Sequence, residues 1–90
     1  MENQHKKIKG YRDLSANEID LMNRIKDKAE DLGLLIKTLK EMRLDERVGF
    51  KTATELLEND ESLRCLGLAK NNLQQGVMWA VRAIALPQSF

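Results

Sequence analysis

A chain of 90 residues makes one small domain, and at this size folding removes only about 60% of the surface the unfolded chain exposes, so a marginal monomer or an oligomer is expected. Lys and Arg number 15 against 14 Asp and Glu, which removes any global drive toward nucleic-acid polymers or membranes and confines an anion site to a local cluster. The single cysteine, Cys65, excludes an internal disulfide, and with no signal-peptide core or membrane-length apolar run the chain reads as cytoplasmic.

Residues 1 to 12 carry Lys6, Lys7, Lys9 and Arg12 around Tyr11, with a break at Gly10 and no helical period. They read as an arm, extending to about residue 14, that is mobile until something docks on it. Ser15 followed three residues later by Glu18 is a capping box and starts a helix. From there Met22, Ile25, Ala29, Leu32, Ile36 and Leu39 recur in alternating threes and fours, the spacing of a coiled-coil-like seam, which predicts a first helix over about 16 to 43. Asp20 with Arg24, and Lys26 with Glu30, stand four apart on its polar flanks.

Arg47-Val48-Gly49 breaks the pattern, and Phe50, Ala53, Leu56 and Leu57 predict a short second helix over about 50 to 58. Asn59-Asp60-Glu61-Ser62 reads as a turn that caps a third helix. That helix runs from about 61 to 86 with Leu66, Ala69, Leu73, Gly76, Ala80 and Ala83 or Ile84 on one seam, and Pro87 stops it. Gly67 and Gly76 each cost about 1 kcal/mol relative to Ala in a helix interior, which suggests close approach by another backbone or a ligand. The expectation is a single all-α domain over 1 to 90: a compact bundle of two long antiparallel helices and a short one, with an N-terminal arm, assembling into a homo-oligomer.

The catalytic inventory is thin. His5 in the arm is the only histidine, and it has no cysteine near it in sequence. A nucleophile with its base is therefore hard to assemble, no Cys/His spacing suits a metal, and no Gly-rich phosphate loop is present. The chain reads as a non-enzyme with no cofactor. Tyr11 has two readings: a ring that docks as a staple, or one that stacks on a nucleobase while nearby cations meet a phosphate. Lys26, beside Ile25 on the flank of the seam, covers a helix edge, or pairs with Glu30, or serves an anion. Arg64 and Lys70 are by default solvated cations, and Arg82, amid Val81, Ala83 and Ile84, reads as structural.

Two stretches together resemble the phage anti-CBASS proteins of the second type, sponges for the cyclic oligonucleotide signals of bacterial immunity. The first is Ile8-Lys9-Gly10-Tyr11-Arg12-Asp13-Leu14-Ser15, continuing through Glu18-Ile19-Asp20-Leu21-Met22-Asn23-Arg24 to Lys26. The second comprises Ala69-Lys70, Leu73-Gln74, Gly76, Met78, Arg82-Ala83-Ile84-Ala85 and Pro87-Gln88-Ser89-Phe90. The resemblance implies a homohexamer in the cytoplasm of the infected bacterium that sequesters cyclic dinucleotides, such as cyclic GMP-AMP, without cleaving them. It places Tyr11 and Lys26 on the dinucleotide. For some members it implies a second pocket, for cyclic trinucleotides, whose counterparts here are Arg64, with Leu68 and Asn71. It implies no binding of DNA or RNA polymers and none of membranes. The alternative from residue chemistry is a helical structural or adaptor protein that pairs with a partner through its apolar seams.

Overall fold

A computed structural model describes residues 13 to 86, and these form a helical hairpin. Helix α1 spans Ala16–Glu46, a short 3-10 turn spans Arg47–Gly49, and helix α2 spans Ala53–Ala85. The expected arm with Tyr11, and the tail from Pro87 to Phe90, lie outside the described residues.

The start of α1 is the capping box read from the sequence. Ser15 Oγ accepts from the Glu18 N–H at 3.1 Å, and the Ser15 N–H donates to Glu18 Oε1 at 3.0 Å, so two otherwise orphaned donors of the first turn are satisfied reciprocally. Met22, Ile25, Ala29, Ile36 and Leu39 then fall on the half-buried face, as their spacing predicts. Leu32 is 47% exposed, because Gly33 takes its place on the inner face and turns Leu32 to the side of the hairpin.

The second half of the chain departs from expectation. No separate helix covers 50 to 58, and Asn59-Asp60-Glu61-Ser62 does not form a turn: all four lie inside the single 33-residue α2. The helix begins earlier because Thr52, in extended conformation, caps it, its Oγ1 accepting from the Glu55 N–H at 3.1 Å. Glu55, not the later acidic cluster, supplies the negative charge in the first turn. At the far end Leu86 adopts a left-handed conformation, φ 42, and its N–H reaches the Arg82 carbonyl at 2.7 Å, ending the helix immediately before Pro87 in the sequence.

Asn59 has a tertiary task instead. At 4% exposure it is the one buried residue among those described. Its Nδ2 donates to the Arg43 carbonyl at 2.8 Å, and its Oδ1 accepts from Arg47 Nη1 at 2.8 Å. The reason lies in how α1 ends. The Arg47 N–H turns to the carbonyls of Leu44 and Asp45 as the chain tightens into the 3-10 turn, so the Arg43 carbonyl loses its usual α-helical donor. Arg43 Nε meanwhile donates to Ser62 Oγ at 3.0 Å and its Nη1 to the Glu46 carboxylate at 3.1 Å, while Arg47 also pairs with Asp60. The polar residues that locally resemble a turn are the ones that stitch α2 to the end of α1.

Beyond this knot the helices meet along Ile25, Ala29, Ile36 and Leu39 on α1 and Leu63, Leu66, Leu73, Val77, Ala80 and Ile84 on α2, all half-buried. No apolar side chain among the described residues is buried, and Leu35, Leu57, Met78 and Trp79 are largely exposed. The hairpin measures 62 × 22 × 15 Å, with a radius of gyration of 19.4 Å against about 12 Å for a compact domain of this length. The compact three-helix bundle expected from the sequence is therefore not what one chain forms. It forms two long helices joined by a short turn, a flat hairpin with apolar surface on both sides.

Candidate functional site

The hairpin presents three distinct surfaces. One side carries a groove of about 550 Å³ lined by Leu21, Ile25, Leu32, Asn72, Gly76 and others, with Arg24 and Lys28 on its α1 edge. The opposite side carries a groove of about 780 Å³ lined by Leu63, Leu66, Met78 and others, with Lys37, Lys40 and Lys70 among its lining residues. Ala29, Leu73 and Val77 contribute to both, because they lie on the midline of the hairpin. The third surface is the face of α2 turned away from α1.

Lys26 does not line either groove; it stands about one turn before Glu30 on the side of α1 whose Glu30, Gly33, Lys37 and Lys40, at steps of four and three, line the larger one. It is exposed. The pair expected with Glu30 does not form, and among the described residues Lys26 makes no ion pair, whereas Asp20 and Arg24, at the same spacing, approach to 3.8 Å. The pairing form of the bland role thus finds no partner among the described residues, while a lysine that covers the helix edge still fits its exposed place. Tyr11, its proposed companion, lies outside the described residues.

Arg64, Leu68 and Asn71 recur at steps of four and three along the outward face of α2, and all three are exposed. The structure brings these three together and separates them from Lys26. With Ile25 and Ala29 opposite Leu73 and Val77, Lys26 lies roughly 18 Å along the hairpin from Arg64 at 1.5 Å per residue. The two candidate sites are separate within one chain.

Arg64 is engaged with Glu61. Its Nε donates to Oε2 at 3.0 Å and its Nη2 to Oε1 at 2.7 Å, a two-point contact between residues three apart on the helix. The hydrogen bond from Arg64, with its positive charge, holds the Glu61 carboxyl below the ordinary carboxylate range, and the same contact raises Arg64. The Cys65 thiol lies 3.7 Å from Glu61 Oε1 and adds a weak contact. Sequence reading treated Arg64 as a lone solvated cation; the spacing of Glu61 three residues before it was the available signal.

Gly67 and Gly76 line the larger and smaller groove respectively, and a methyl group built on either meets nothing within 4 Å. The close approach expected at these glycines does not come from the described residues. Arg82 is half-buried, in keeping with a structural place. Among the described residues no group of three or more His, Cys, Asp or Glu side chains is placed to hold a metal ion, and no helix is long and apolar enough to cross a membrane.

Comparison with known proteins accounts for the hairpin as a unit. Residues 3–85 match the family model described as the Acb2/Tad1 hairpin domain. The protein named anti-CBASS protein 2 of Pseudomonas phage JBD67 is 37% identical, over 98% of this chain and 98% of its own length. The protein of the same name from Enterobacteria phage T4 is 32% identical, over 90% of this chain and 92% of its own length. With a match that runs from residue 3 to the last turn of α2, this chain belongs to the Acb2/Tad1 hairpin family, among the anti-CBASS proteins of the second type.

Proposed function

We propose that this chain is a phage anti-CBASS protein that works as a sponge: it captures cyclic di- and trinucleotides reversibly, lowers their free concentration, and so keeps host effectors inactive without cleaving the signal. The observation that carries this reading is similarity over nearly the full length to two phage proteins named for anti-CBASS activity. Capture needs no catalytic group, only enough protein with enough affinity.

The chemistry of the two candidate surfaces supports it. A cyclic dinucleotide has two bases, two phosphates and an approximate two-fold axis, so an isologous pair of chains offers one Tyr11 and one Lys26 to each half. Aromatic stacking tolerates any base, and an ammonium with no competing carboxylate meets the phosphate. A cyclic trinucleotide has an approximate three-fold axis, which suits three copies of the outward α2 face with Arg64 on the phosphates and Leu68 and Asn71 beside it. A three-fold axis crossed at right angles by two-fold axes generates six copies, a homohexamer.

Packing supports assembly independently. A hairpin without a buried apolar residue gains little from folding alone, and two open apolar grooves on opposite sides give each chain two different faces to cover. The same grooves would accept a helix of another protein, which is the adaptor reading.

Isothermal titration against a panel of cyclic di- and trinucleotides decides between them. The sponge reading requires saturable heat with at least one ligand and recovery of that ligand intact after denaturation. No heat with any of them would refute it; linear products on release would replace it with a hydrolase.

A further inference from the structure

The Glu61–Arg64 contact has a consequence for anion capture. A guanidinium offers five N–H donors, arranged as two edges that can each grip two oxygens. Glu61 occupies the Nε and Nη2 edge through both carboxylate oxygens, at 3.0 and 2.7 Å. Both Nη1 hydrogens and the second Nη2 hydrogen remain; the second Nη2 hydrogen and the adjacent Nη1 hydrogen form the other edge, the one suited to two phosphate oxygens. Glu61 therefore leaves Arg64 able to bind while fixing its orientation and cancelling its charge.

We infer that Glu61 is the built-in counter-charge of the Arg64 site, neutralising and orienting the guanidinium so that the outward face of α2 captures a cyclic trinucleotide more weakly than Arg64 alone would. This rests on the reading of Arg64 as a trinucleotide-binding residue. Three Arg64 side chains gathered around a three-fold axis would repel one another; three Arg64–Glu61 pairs carry no net charge, so the empty ring can form before ligand arrives. The ligand then meets three carboxylates behind the three guanidiniums. The exposure of the pair keeps the penalty modest. A carboxylate about 6 Å from a phosphate in water-like surroundings weakens binding about threefold, hence on the order of 30-fold for three copies at low salt.

The test is equilibrium binding of cyclic triadenylate to the assembled wild-type protein and to Glu61→Gln, Glu61→Asp and Arg64→Ala, in a salt series, with a cyclic dinucleotide run in parallel. Glu61→Gln keeps an acceptor within reach of Arg64 but removes the charge. It is expected to tighten trinucleotide capture about tenfold or more at low salt, with the gain shrinking as salt rises, and to leave dinucleotide capture unchanged. Glu61→Asp keeps the charge and should show no such gain. A purely structural role for Glu61 would instead weaken both ligands together. Unchanged or weaker trinucleotide capture by Glu61→Gln, with capture lost in Arg64→Ala, overturns this inference and leaves the reading of Arg64 intact. Capture undiminished in Arg64→Ala, or no capture by any variant, overturns both. Capture by Glu61→Gln where the wild type shows none would support the inference in its strongest form.

Discussion

Asn59 is the side chain on which the hairpin bend depends, and replacing it gives a quantitative test. Asn59→Ala removes the donor to the Arg43 carbonyl and the acceptor from Arg47, both at 2.8 Å and at a site only 4% exposed. Arg47 retains Asp60, so its loss is partial; the Arg47 N–H, which would serve the Arg43 carbonyl in a continuing α-helix, is turned to Leu44 and Asp45. An orphaned buried carbonyl costs about 1–3 kcal/mol, and a hydrogen bond to a charged partner contributes about 1.5–3 kcal/mol, so an overall loss of about 2–4 kcal/mol is expected. Asn59→Asp separates the two contributions. It preserves shape and strengthens the contact with Arg47, yet has no N–H for Arg43, so a net loss of about 1–3 kcal/mol isolates the carbonyl bond. Urea unfolding followed by circular dichroism, at one fixed protein concentration so that any assembly contributes equally, reads both values. Asn59→Asp as stable as the wild type would show that the Arg43 carbonyl finds another donor, and the account of the bend would fail.

Other outcomes follow from the same geometry. Lys26→Ala and Tyr11→Ala are each expected to weaken cyclic dinucleotide capture about tenfold or more while leaving trinucleotide capture and particle size intact; unchanged affinity by titration would place the site elsewhere. Gly76→Ala adds helix propensity of about 1 kcal/mol in a lone hairpin, where nothing lies within 4 Å of the added methyl, but should dissociate the assembly if a neighbouring chain fills that groove. Light scattering showing a full-sized particle with a raised melting temperature would remove that glycine from any interface. Ser15→Ala should cost about 1 kcal/mol and speed amide exchange at Glu18, whose N–H it leaves uncapped. For Glu61 the folded-state value lies below the ordinary one, so its stabilising contribution is present above about pH 4.3 and lost as pH falls through the depressed value. A carboxyl titration by NMR should show this midpoint return toward the ordinary value in Arg64→Ala.

The parts of the fold legible in the sequence were those whose causes are local. Ser15 and Glu18 form their capping box from side chains three residues apart, the alternation from Met22 to Leu39 found the inner face of α1, and Arg47-Val48-Gly49 marked the bend. Asn59 to Ser62 misled because their partners are distant: Arg43 and Arg47 need donors and acceptors only once α1 has ended, and local preference records nothing of that need. Leu32 misled by one position because Gly33, lacking a side chain, takes the inner face. At the candidate sites, residue types alone left Lys26 and Arg64 as ordinary surface cations. Resemblance singled them out, and the structure then distinguished them: among the described residues Lys26 has no carboxylate partner, and Arg64 has one that grips it at two points.

The lack of a buried apolar residue in the hairpin bears on when, as well as how, such a protein acts. If this chain folds only as it assembles, it has a threshold: below a certain abundance it is open to proteases, and above it the pockets appear together with the assembly. For a sponge made during infection, capacity would then rise more steeply than synthesis. Dose, through mass action among identical chains, would set the moment at which the signal begins to be silenced.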